Sequence, residues 1–73
     1  ESKYKKIKLI FKDDSFDHDL FKGEKKLEII ENKVSFIFEG NIIEELKKVA
    51  AYNLIDIEIT EPNLEEIFLH FYE

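Results

Sequence analysis

Apolar and polar residues change period along this chain, and each change marks an element. Residues 4–12, YKKIKLIFK, alternate. Ile7, Leu9 and Phe11 fall on one face and Lys6, Lys8 and Lys12 on the other, which predicts a strand; Ile10 interrupts the polar face. The lysines suit a solvated sheet surface or an edge that resists pairing with other chains. In residues 13–23, DDSFDHDLFKG, a short helix is expected. Ser15 is its cap, Phe16 and Leu20 lie four apart, Asp17 and Asp19 occupy the first turn, and Gly23 ends it. Residues 26–31 and 33–39 are two β-rich runs that meet at Asn32, a residue that tolerates the left-handed backbone of a tight hairpin. Val34, Phe36 and Phe38 then share the core face.

Asn41, with Glu44 three residues on, opens a second helix. Its apolar stripe is Ile42, Leu46 and Val49, running to about Tyr52 with Asn53 as the stop, and Glu44 is spaced to pair with Lys48. Residues 54–60, LIDIEIT, alternate strictly, so Ile55, Ile57 and Ile59 are expected inward and Asp56 and Glu58 outward. The last stretch, TEPNLEEIFLHFYE at 60–73, reads as a terminal amphipathic helix capped by Asn63 with Glu66, with Pro62 ending the strand before it and Glu65 in the first turn. At about 100° per residue Leu64, Ile67, Phe68 and Phe71 form its core face, with Tyr72 at the edge. Leu69 projects between Glu65 and Glu66 and is expected to be exposed. The order β-α-β-β-α-β with an added C-terminal helix predicts an α+β, ferredoxin-like domain with a four-stranded antiparallel sheet.

At 73 residues the chain is a single domain near the lower limit for folding without staples, but 44% hydrophobic content with seven Phe supplies a core. No cysteine is present, which excludes disulfides and thiolate metal sites. There is no apolar run of the roughly 20 residues that span a bilayer, and a soluble domain with no membrane insertion is expected. The 11 basic residues are all lysine against 17 acids, a net charge of −6 that repels a phosphate backbone, so nucleic acid is not an expected partner. The absence of methionine and the opening on Glu1 predict a piece excised from a longer protein.

No catalytic residue is assigned. Gly23 and Gly40 stand alone, so there is no phosphate-cradling loop. Asp13, Asp14, Asp17, His18 and Asp19 lack the spacing of a calcium loop and read as a solvated helix start, and the Glu66 and His70 pair reads as a surface contact rather than a ligand pair. No metal or cofactor is expected in this chain.

Pro62, Asn63, Leu64, Glu65, Glu66, Ile67, Phe68 and Leu69 resemble the P-[SN]-L-E-E-[IV]-F-L tail that closes many ATP-binding subunits of bacterial ABC transporters of the ABC-2 type. His70, Phe71 and Tyr72 extend the match. The resemblance covers residues 54–73 by letters and the rest by pattern. It implies a non-catalytic C-terminal accessory domain of a cytoplasmic subunit at the inner face of the membrane. The parent chain would bind ATP and Mg and hydrolyse ATP to drive export through a separate permease. The domain's partners would be its own upstream nucleotide-binding domain, the second ATPase subunit or the permease, with Leu69, His70 and Tyr72 as candidate contact residues. Three alternatives share the predicted topology. A small-ligand regulatory module is allowed by the sequence. A single-stranded RNA reader that stacks bases on Phe36 and Phe38 is opposed by the charge. An acylphosphatase-like hydrolase needs a phosphate-binding Arg, and the chain has none.

Overall fold

The structure, a computed structural model, describes residues 3–70, with Leu69 and His70 described as backbone alone. Its elements are β1 (Tyr4–Phe11), a 3-10 helix (His18–Phe21), β2 (Lys25–Ile30), β3 (Lys33–Glu39), α1 (Ile42–Val49), β4 (Leu54–Thr60) and α2 (Leu64–His70). The domain is α+β. Its strands form one sheet in the order β2-β3-β1-β4, and every neighbouring pair is antiparallel.

Register decides which side chains meet. Ile7 stands between Phe36 and Ile59, and Leu9 between Val34 and Ile57, so these residues share one face. On that face Ile7, Leu9, Phe11, Val34 and Phe36 are buried with Phe16, Phe21 and Val49, as the strand periodicity predicts for the strand residues. The aromatic side chains interlock: Phe16 stacks on Phe11 at 4.3 Å, and Phe21 meets Phe11 edge-on at 6.3 Å and tilts onto Phe36 at 5.8 Å. Phe38 is half-buried against this cluster.

Several expectations are corrected. The helix expected over 13–23 is a four-residue 3-10 helix capped by Asp17, whose carboxylate accepts from Asp19 N–H at 3.0 Å. Ser15 cannot serve as the cap because its N–H and hydroxyl both donate to Asp13. The tight turn lets Phe16 and Phe21, rather than Phe16 and Leu20, drop fully onto the sheet. At the hairpin the left-handed residue is Glu31 (φ 54°), not Asn32. Asn32 instead locks the turn to β1: its side-chain amide donates to Phe11 O at 2.8 Å, and its backbone carbonyl accepts from Phe11 N–H at 2.9 Å.

α1 stops at Val49 with Ala50 as cap, short of Tyr52. Its start is as predicted, with Asn41 Oδ1 accepting from Ile43 N at 3.0 Å and Glu44 N at 3.1 Å. Lys48 pairs with Glu45 and Glu24, while Glu44 pairs with Lys47.

In β4 the three isoleucines are not buried. Ile57 and Ile59 face the core side but remain 37% and 42% exposed, because the buried cluster is centred on β1 and β3 and does not reach the sheet edge. Ile55 is the extra residue of a bulge between the Ile10–Asp56 and Phe11–Leu54 pairs and is 65% exposed.

Candidate contact surface

α2 is held at its start by three interactions. Glu66 N–H donates to Asn63 Oδ1 at 2.7 Å and Asn63 N–H to Glu66 Oε1 at 2.9 Å, the reciprocal box that the sequence predicts. The other oxygen of Glu66 pairs with Lys6 Nζ at 2.6 Å. Just ahead of the helix Lys5 pairs with Glu61, and Pro62 is buried. The Lys6 hydrogen bond first, and the Asn63 N–H second, hold the Glu66 carboxyl below its usual range.

Lys6 stands opposite Ile37, on the sheet face away from the Phe21 cluster. α2 is therefore tied to that second face, where Tyr4 and Ile37 are buried. This tether fixes the helix rotation. Leu64 and Phe68 each lie two residues from Glu66, about 160° around the helix from the side that grips Lys6. They are 84% and 60% exposed and lie one above the other at i,i+4, while Ile67 is half-buried. The expectation that Leu64 and Phe68 belong to the core is corrected. The physical reason is that Glu66, a charged residue, is the one turned towards the sheet to meet Lys6. The side chains of Leu69 and His70, and all of Phe71 and Tyr72, lie outside the described residues.

Beside α2 a cleft of about 290 Å³ opens over β2 and β3, with Lys6, Lys26, Glu28, Ser35, Ile37 and Glu66 among its walls. Its Lys6 and Glu66 groups neutralise each other.

A second cluster is not predicted by the residue pattern. Glu45 is buried on α1, and Lys48 reaches its Oε2 at 3.1 Å without a well-directed hydrogen bond. Lys48 also stands 3.5 Å from Glu24, just before β2. Burial first, then the hydrogen bond to Glu45 and its charge, push the Glu24 carboxyl up to about 7 against the pull of Lys48. Lys48 is itself raised: burial opposes its charge, but the two carboxylates outweigh it. The available signal was Glu45 itself, placed three residues after Ile42 and four before Val49, inside the apolar stripe.

The acids at 13–19 do not converge. Asp13 binds Ser15, Asp17 binds Asp19 N–H, and His18 stacks on Phe16 at 4.4 Å. Among the described residues no group of three or more His, Cys, Asp or Glu could hold a metal ion. Phe36 lies in the core with Phe38 packed against it, so the two rings do not form a platform for stacked bases. No helix among the described residues is long and apolar enough to cross a membrane. Comparison with family models, with curated proteins and with solved structures finds no match for this chain.

Proposed function

We propose that this domain works by contact, as the C-terminal accessory domain of an ABC-2 type transporter ATP-binding subunit. One observation carries the reading: within the stretch that resembles the family tail, α2 is anchored by Glu66 and displays Leu64 and Phe68 outward. A helix fixed at its charged side and apolar on its open side is suited to burial against a second surface. The topology supports the same reading. In the order β2-β3-β1-β4, β1 and β2 run parallel on either side of β3, which is compatible with a ferredoxin-like arrangement whose first helix is shrunk to a 3-10 turn. The surface that receives Leu64 and Phe68 belongs to the upstream nucleotide-binding domain, the second ATPase subunit or the permease. ATP and Mg bind in the upstream part of the parent chain, and this domain is catalytically silent.

The test is made in the full-length subunit. Leu64→Asp, Phe68→Asp and Leu69→Asp should weaken dimerisation or uncouple ATP hydrolysis from export while the domain stays folded. Unchanged dimerisation, ATPase activity and export in all three would reject the proposal. A second reading, a small-ligand regulatory module, draws on the cleft beside α2, and saturable binding of a metabolite that perturbs Lys26 and Ser35 would favour it.

A further inference from the structure

β4 ends the sheet, and its open side has a regular chemistry. The N–H of Ile57 is turned away from β1, since the carboxylate of Asp56 takes it at 2.9 Å. Antiparallel ladders alternate, so the backbone groups of Asp56, Glu58 and Thr60 face Ile10, Lys8 and Lys6, while those of Ile57 and Ile59 point to the open side. The same two residues carry the exposed side chains on the core face. Asp56 and Glu58 occupy the other face, and no lysine lies on the strand. The opposite edge, β2, is blunted: its register breaks between Lys25 and Glu28, with Lys26 in a left-handed conformation, and it carries two lysines. Over residues 56–60 β4 has no such break.

We infer that β4 is a docking edge for a strand of a partner protein in which apolar residues alternate with lysine or arginine. Apolar residues opposite Ile57 and Ile59 extend the core face beyond its present cover. Basic residues opposite Asp56 and Glu58 answer their charge, one flank of which is already met by Lys8 across from Glu58. On docking, a carbonyl of the incoming strand replaces the Asp56 carboxylate as acceptor for Ile57 N–H, and the freed carboxylate turns to a basic side chain. A second copy of this chain does not fit the role. Pairing β4 with itself around Ile57 sets Asp56 against Glu58 of the other copy, between two chains of net charge −6. The inference is independent of the transporter reading, which concerns α2 on the opposite face of the sheet.

The probe is a blocked peptide of about seven residues that alternates valine and lysine, with a valine–glutamate peptide as control. Added to the isotope-labelled 73-residue chain, the basic peptide should shift the amides of residues 55–60 and slow hydrogen exchange at Ile57 and Ile59. Ile57→Pro removes a donor that β1 does not use, so it should keep the fold and weaken binding by roughly tenfold or more. Ile59→Lys, which leaves the backbone unchanged, should also weaken it, whereas Ile43→Lys on the exposed side of α1 should not. Equal binding of the acidic peptide, shifts centred on β2, or full binding by folded Ile57→Pro would overturn the inference. So would peptide-independent self-association through β4, since the occupant would then be a second copy.

Discussion

Glu24, just before β2, and Glu45, on α1, converge on a single lysine, Lys48, at 3.5 and 3.1 Å, and Glu24 is the member pushed up to about 7. An acid whose folded pKa exceeds its ordinary 4.5 binds its proton more tightly in the native state. Its contribution to stability is therefore complete below about 4.5 and is lost as pH rises through about 7. The melting temperature should fall between these limits. Glu24→Gln keeps a donor for Glu45 without the charge, so it should flatten that slope and raise Tm at pH 8, whereas Lys48→Met should steepen it. Thermal melts by circular dichroism from pH 4 to 9 read all three, and an unaltered slope in Glu24→Gln would place the titration elsewhere.

Phe21 and Phe68 should separate cleanly by substitution. Phe21 is fully buried among Phe11, Phe16 and Phe36, and truncation to alanine should cost about 3–5 kcal/mol, comparable with the whole stability of so small a domain. Leu64→Ala, at a position 84% exposed, should fall within about 0.5 kcal/mol of the parent. Phe68→Ala should lie near that lower value, since its ring is mostly in solvent. Urea unfolding distinguishes them. Loss of the fold on Phe68→Ala would mean that α2 is part of the cooperative core.

The strands were legible because alternation is a local signal that survives folding: Ile7, Leu9 and Phe11 are buried where the two-residue period puts them. Capping was legible for the same reason, as Asn41 and Asn63 act within three residues of themselves. The Ser15 cap failed locally, lost to Asp13 two residues away, but the other failures in β4, α2 and the acidic pair were set by partners distant in sequence. Ile57 and Ile59 face the right way, but whether they are covered depends on where α1 lies. The rotation of α2 depends on Lys6, sixty residues before Glu66. The Glu24 and Glu45 pair needs the 3-10 turn and α1 to meet over one face, which neither segment announces alone.

The hairpin offers two substitutions of opposite sign. Glu31 holds a left-handed backbone at φ 54° that favours glycine, so Glu31→Gly should stabilise the domain by up to about 1 kcal/mol. Asn32→Ala should destabilise it by about 1 kcal/mol, because it removes the amide hydrogen bond to the Phe11 carbonyl in a half-buried site. Denaturant midpoints at a common m-value give both. A stabilising Asn32→Ala would show that the side-chain bond does not hold the turn to β1.

Glu66 should respond to pH in the opposite sense to Glu24. Lys6 and the Asn63 N–H hold its folded pKa below the ordinary 4.5, so its contribution is present above 4.5 and is lost as pH falls through the lower folded value. α2 lies outside the buried cluster, so this loss should be local to the helix. Amide hydrogen exchange in residues 64–70 should therefore quicken relative to β1 as acid is added. Asn63→Ala removes the cap and should raise the opening equilibrium of α2 by about 1 kcal/mol at neutral pH, with Lys6→Ala acting in the same direction. Neither change should move the exchange of Leu9 or Phe36 as far as it moves the helix. If all amides moved together, α2 would be folded into the core unit. If none moved, the Lys6 and Asn63 contacts would not be what holds Leu64 and Phe68 in place.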